Sequence, residues 1–88
     1  MEIRRKVQAG TMQSSDLMVF VEPAEKLLIE IESTVKKQFE HLIRQKVGEV
    51  LDKLDVTQAI VRITDRGALD YAIEARLEAA LRRAAQEG

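Results

Sequence analysis

The sequence predicts an α+β domain: a two-layer sandwich with elements in the order β-β-β-α-β-α, its two helices lying on one face of a small mixed or antiparallel sheet. Three observations carry that prediction. Leu17-Met18-Val19-Phe20-Val21 is a continuous apolar run, rich in β-branched and aromatic residues and too short for a helix. Alternation follows at residues 29–32 within the run 27–32, and again at residues 61–64, the period of a half-buried strand. Two longer stretches then repeat apolar residues at steps of three and four, as amphipathic helices do.

Taken in order, residues 1–6 are polar and basic apart from Ile3, which reads as a flexible, solvated terminus. Val7, Ala9 and Thr11 alternate with Gln8 and Gly10 as a weak strand, and Gly10 marks a bend or a close backbone approach. Ala9 to Asp16 is small, polar and turn-prone. The apolar run of residues 17–21 is the clearest strand, and Pro23 ends it because proline cannot donate to a ladder. In residues 27–32, Leu27, Ile29 and Ile31 face one way and Glu30 and Glu32 the other, so the two runs are expected to form a hairpin.

Ser33 or Thr34 is the expected cap of the first helix, whose stripe is Val35, Phe39, Leu42, Ile43, Val47, Val50, Leu51 and Leu54. Glu40 with Arg44, and Glu49 with Lys53, are spaced as i,i+4 pairs. Gly48 either permits close packing or is a tolerated weakness of about 1 kcal/mol relative to alanine. Residues 60–64 form another strand, with Val61 and Ile63 inward and Arg62 outward. After a turn at Asp65-Arg66-Gly67, a second helix runs from about Ala68 along Leu69, Ile73, Leu77, Leu81 and Ala84. The expected core is Val19, Val21, Ile29, Ile31, Phe39, Ile43, Val47, Val61, Ile63, Ile73 and Leu77.

Eighty-eight residues make one domain, 1–88, with a modest core. The absence of cysteine excludes disulfides and thiolate chemistry, and with a single histidine a zinc site lacks ligands. Fourteen basic and 15 acidic residues leave a formal charge of −1, no global field for nucleic acid, and aromatics for base stacking are scarce. The longest apolar run is far too short for a bilayer, and no apolar core follows Arg4-Arg5-Lys6 as a secretory signal requires. The expectation is a soluble cytoplasmic domain.

No Ser–His–acid spacing, phosphate loop or clustered carboxylate set appears. His41, the one imidazole, lies off the apolar stripe among Lys37, Gln38 and Gln45, and reads as a solvated helix residue. Ser14 and Ser15 have no local base to activate them, which makes them poor nucleophiles but usable attachment points. The same residues also suit a plain tight connection between strands.

Ala9-Gly10-Thr11, Ser14-Ser15-Asp16-Leu17, Glu22-Pro23-Ala24 and Gly67-Ala68-Leu69-Asp70 occur here in the order and at the spacing of a known family. Over nearly its whole length the chain resembles the acyl carrier protein (gamma) subunit of citrate lyase. The resemblance implies that Ser14 carries a 2'-(5''-phosphoribosyl)-3'-dephospho-CoA arm through a phosphodiester, with Ser15 the runner-up position. It implies a non-catalytic carrier whose arm thiol holds acetyl and citryl groups while citrate is cleaved to acetate and oxaloacetate. Its partners would be the alpha (acyl transferase) and beta (citryl lyase) subunits and the transferase that attaches the arm, with no nucleic acid and no membrane. Arg4, Arg5 and Lys6 are candidates for contacting the arm or that transferase. The family often has an acidic residue before the serine pair, where this chain has Gln13. The carrier subunit of malonate decarboxylase is the nearest alternative, and an unmodified structural adaptor is the other. An all-helical acyl carrier is set aside, because that family modifies the serine of an Asp-Ser-Leu, not Ser15-Asp16-Leu17.

Overall fold

A computed structural model describes residues 1–13, 16–33, 37–68 and 70–86. The elements are β1 (Val7–Gly10), β2 (Leu17–Glu22), β3 (Leu27–Ser33), α1 (Lys37–Lys53), β4 (Ala59–Asp65) and α2 (Asp70–Ala84). They form a four-stranded mixed sheet in the order β1-β2-β4-β3, with both helices on one face. The expected β-β-β-α-β-α order and layer arrangement are present.

The core is where the alternation put it. Leu17, Val19 and Val21 of β2, and Ala59, Val61 and Ile63 of β4, are buried beneath Ile43, Val47, Val50 and Leu51 of α1 and Ile73, Leu77, Ala80 and Leu81 of α2. Ile29 and Ile31 of β3 are partly buried and pack against that cluster. Burial of this apolar surface supplies the main driving force for folding.

Strand pairing differs from expectation. β2 and β3 do not form a hairpin; β4 lies between them, antiparallel to β2 and parallel to β3. The hairpin is instead β1–β2, with Val7 opposite Val21 and Gly10 opposite Met18. The physical reason lies in the side chains. β4 can bury an apolar face between two neighbours, whereas β3, with Glu30 and Glu32 on its outer face, suits an edge. In the centre, Arg62 reaches Glu22 at 3.5 Å and Glu30 at 3.1 Å, one carboxylate on each neighbouring strand. A parallel β3–β4 pair also needs a long crossover, and α1 is that crossover.

The first helix is rotated relative to expectation. Phe39 is 45% exposed and Leu42 49%, so neither belongs to the core. Leu42 and Ile43 stand about 100° apart on a helix, and the buried row Ile43, Val47, Val50, Leu51 takes the inward direction. Ser33 is the last residue of β3, and its hydroxyl donates to Asp65 at 3.0 Å; the amides that a cap at Ser33 would bond lie outside the described residues. Thr34, Val35 and Leu69 lie outside the described residues. Glu49 takes Lys46 at 3.3 Å, and Lys53 crosses to Glu78 at 3.5 Å and Glu74 at 3.9 Å on α2. Arg44 donates to the Ile29 carbonyl at 3.3 Å.

α1 ends in a Schellman motif. The Val56 N–H donates to the Leu51 carbonyl (2.9 Å) and the Asp55 N–H to the Asp52 carbonyl (3.1 Å), with Asp55 at φ 55°. The N-terminal segment, expected to be flexible, is docked against this end and the end of α2. The Met1 ammonium donates to the Asp55 carbonyl at 2.8 Å, Ile3 is buried, and the Arg4 and Arg5 amides both donate to the Ala84 carbonyl. One buried apolar side chain among six residues is enough here, because the open carbonyls at a helix C-terminus offer backbone partners.

Candidate functional site

The turn after β1 begins with Gly10, at φ 101°, a left-handed conformation that a side chain would strain. A Cβ there would sit 2.0 Å from the Leu17 carbonyl oxygen, so the close backbone approach expected from the sequence is present. The same carbonyl accepts the Thr11 N–H at 3.0 Å and closes the base of the turn. Inside it, the Gln13 N–H donates to the Thr11 hydroxyl oxygen (3.3 Å) and the Asp16 N–H to the Gln13 carbonyl (3.3 Å).

Asp16 is the hub of this turn. Its Oδ2 accepts the Thr11 hydroxyl at 2.5 Å and Arg76 Nη2 at 2.9 Å; its Oδ1 accepts the Leu17 N–H at 2.8 Å and Arg76 Nε at 3.2 Å. The two Arg76 bonds make a forked guanidinium–carboxylate pair, which fixes orientation as well as distance. The Thr11 hydroxyl, the Leu17 amide and Arg76 hold the Asp16 carboxyl down at about 2, below its ordinary 3.8. The Asp16 carbonyl accepts the Arg66 N–H at 2.8 Å, tying the turn to the β4–α2 connection. That connection has its own buried carboxylate, Asp65, which accepts Ser33 Oγ and the Ala68 N–H.

Ser14 and Ser15 lie outside the described residues; their flanks, Gln13 and Asp16, belong to this hydrogen-bonded frame. Arg4 and Arg5 are not beside it. They sit at the C-terminal end of α2, about two helical turns beyond Arg76. Arg5 Nε donates to the Arg83 carbonyl at 3.1 Å, and Lys6 is exposed just before β1. His41 is exposed on α1. Gly48 has nothing within 4 Å of a built Cβ, so it is a tolerated weakness rather than a packing device.

An open groove of about 840 Å³ runs from this turn between edge strand β1 and α2. Gln8, Ala9 and Gly10 form one side; Tyr71, Ala72, Ala75, Arg76, Ala79 and Arg83 form the other, with Gln13 and Asp16 at the turn. Sequence reasoning missed Arg76 and its pairing with Asp16, sixty positions away. The available signal was an arginine set among Ala72, Ala75 and Ala79 on a helix face of mostly small side chains.

Among the described residues no three His, Cys, Asp or Glu side chains are placed to hold a metal, and no helix is long and apolar enough to cross a membrane. The described residues thus form a small α+β domain with a hydrogen-bonded turn at one end of an open groove.

A family model described as malonate decarboxylase delta subunit (MdcD) matches residues 4–84. The chain is 46% identical over 84 residues to the citrate lyase acyl carrier protein of Treponema denticola, covering 96% of this chain and 97% of that one. It is 51% identical over 88 residues to the citrate lyase acyl carrier protein of Enterobacter sp. (strain 638), covering 99% and 91%. A Pseudomonas malonate decarboxylase hetero-tetramer, solved in complex with malonate, contains a chain of the same fold: TM-score 0.73 at 22% identity, over 92% of this chain and 84% of that one. The chain belongs to the citrate lyase acyl carrier protein family.

Proposed function

We propose that this chain is the arm-bearing subunit of a citrate lyase, and that Ser14 carries a 2'-(5''-phosphoribosyl)-3'-dephospho-CoA group through a phosphodiester. The observation behind this is the 44–51% identity, over nearly the full chain, to proteins named citrate lyase acyl carrier protein. The braced turn supports it physically. A pendant hydroxyl needs a defined position for a modifying enzyme, and Asp16 with Thr11 and Arg76 anchors the segment one residue past the serine pair. The residues at hand suit such a group, since Arg83, Gln8 and Gln13 offer donors and Asp16, the one acid among the groove's lining residues, is already paired with Arg76, whose Nη1 lies outside that fork.

On attachment, the Ser14 hydroxyl oxygen forms the new O–P bond on an activated phosphate donor held by the transferase. The donor's leaving group departs, and the serine proton passes to the transferase. The arm supplies a thiol for thioester exchange, which this cysteine-free chain lacks. The chain itself contributes tethering, which raises the effective concentration of the acyl group at partner active sites. Its partners are an alpha subunit that exchanges acetyl for citryl and releases acetate, and a beta subunit that cleaves the citryl thioester to oxaloacetate and acetyl thioester. The chain performs no bond-breaking of its own, and its setting is cytoplasmic.

The malonate decarboxylase carrier is a second reading, favoured by the description of the matching family model. Pull-down with the two sets of partner subunits separates the readings. The decisive test of the site is intact mass after co-expression with the attaching enzymes. Ser14→Ala should lose the added mass and all lyase activity of the reconstituted complex, whereas Ser15→Ala should keep both. An adduct mapped to Ser15, or full added mass on Ser14→Ala, overturns the assignment.

A further inference from the structure

The groove between β1 and α2 has features that a bare attachment turn does not require. It starts at the turn itself, since Gln13 and Asp16 line it, and it continues to Arg83. From Arg76 to Arg83 is seven residues, or about 10 Å along the helix. Its helical wall alternates small and cationic side chains: Ala72, Ala75 and Ala79 leave apolar room, while Arg76 and Arg83 place guanidinium groups beside it. Across the groove, β1 is an edge strand, and Arg83 Nη1 reaches its Gln8 carbonyl at 3.4 Å. Arg5, held on the Arg83 carbonyl and on Gln86 Oε1, is a further cation just beyond the lining residues at that end.

We propose that this groove is the resting berth of the chain's own tethered arm, which lies along α2 with its phosphates toward Arg76, Arg83 and Arg5 and its apolar stretch over the three alanines. The proposal rests on the function proposed above and specifies where the arm sits between visits to partner sites. The occupant follows from continuity and charge. Gln13 and Asp16, which flank the serine pair in sequence, line the start of the groove, and an anionic, partly apolar chain matches a wall that is cationic and apolar by turns. Tethering makes even a weak groove effective, because the arm's local concentration is high. It also gives Arg5 a role at a distance from the serine turn.

The test uses the fact that the chain has no cysteine, so the arm's thiol is the only one in the holo-protein. Intact mass first establishes that the arm is present. A nitroxide label on that thiol should then selectively broaden the backbone amides of residues 8–10 and 75–83 in ¹⁵N-labelled protein and spare those of residues 43–53. Ala79→Glu, at an exposed helix position, should keep the added mass and the thermal unfolding of the parent yet lose the selective broadening. Arg83→Gln should weaken it. Free dephospho-coenzyme A mixed with the apo chain at equal concentration should leave the same amides unshifted. Uniform broadening, or broadening centred on the outer sheet face, overturns the berth while leaving the carrier reading intact. Equal shifts from the free nucleotide would make the groove a nucleotide site and also overturn it. A chain that never gains the mass overturns both readings.

Discussion

Replacing Gly10 by alanine should strongly destabilise this domain, although it adds a single methyl group at the edge of the sheet. At φ 101° the backbone lies where a non-glycine residue costs about 1–3 kcal/mol. The added Cβ would also meet the Leu17 carbonyl oxygen at 2.0 Å, with the Leu17 carbon at 3.1 Å and Met18 Cα at 3.3 Å. All three are backbone atoms of β2, so no rotamer change relieves the clash, and overpacking of this kind costs about 1–3 kcal/mol. Pushing the carbonyl away stretches the Thr11 N–H bond to it, a further loss of about 1 kcal/mol. The sum is roughly 3–7 kcal/mol. An 88-residue domain has a total stability of about 4–13 kcal/mol at typical values per residue. Urea unfolding followed by circular dichroism reads the change as a fall in midpoint at constant slope. A loss below about 1 kcal/mol refutes the reasoning, because the turn would then have another backbone path that spares β2.

Three further outcomes are expected. Phe39→Ala should cost less than about 1 kcal/mol in the same assay, since Phe39 is 45% exposed; a loss of 3–5 kcal/mol would put it back in the core. Gly48→Ala should stabilise by about 0.5–1 kcal/mol, because the new methyl meets open space and the helix gains propensity; any loss would contradict the open site. The carboxyl of Asp16 is held below its ordinary value, so the unfolded chain binds more protons between about pH 4 and pH 2. The stabilisation from Asp16 is therefore complete above about pH 4 and drains away as pH falls through about 2. Asp16→Asn should be less stable than the parent at pH 6 and converge with it toward pH 2; a constant difference across that window would sink the assignment.

Much of the architecture was legible because burial leaves a period. Val61, Arg62 and Ile63 alternate as a central strand must, and residues 17–21 read as a strand buried on its helix face, with Met18 nearly covered on the other. Strand order was not legible from runs taken singly: residues 17–21 and 27–32 look like a hairpin until α1 is counted as a crossover to β4. Phe39 and Leu42 misled because a stripe of threes and fours is wider than the strip a helix buries. At the site, Gly10 and the serine turn were visible, since small polar residues before an apolar run are a local signal. The Asp16–Arg76 fork was not, because nothing in either residue's neighbourhood encodes a partner sixty positions away. Docking of the first six residues was hidden for the same reason: its partners are carbonyls at helix ends, which every sequence has.

The place of β4 has a consequence for the order of events as the chain is made. β2 and β3 leave the ribosome with a vacant slot between them, and the strand that fills it emerges only as residue 65 appears. Until then the β1–β2 hairpin is the only pairing available, and non-local pairings of this kind form late. The serine turn inherits the delay. Arg66, which holds the Asp16 carbonyl, and Arg76, which grips its carboxylate, both belong to the last third of the sequence. A nascent or truncated chain therefore lacks the Arg66 and Arg76 contacts to Asp16, and only the folded full-length chain has them. Rates of arm attachment on full-length protein and on a chain ending at Gln58 would measure how far the modifying enzyme relies on that distinction.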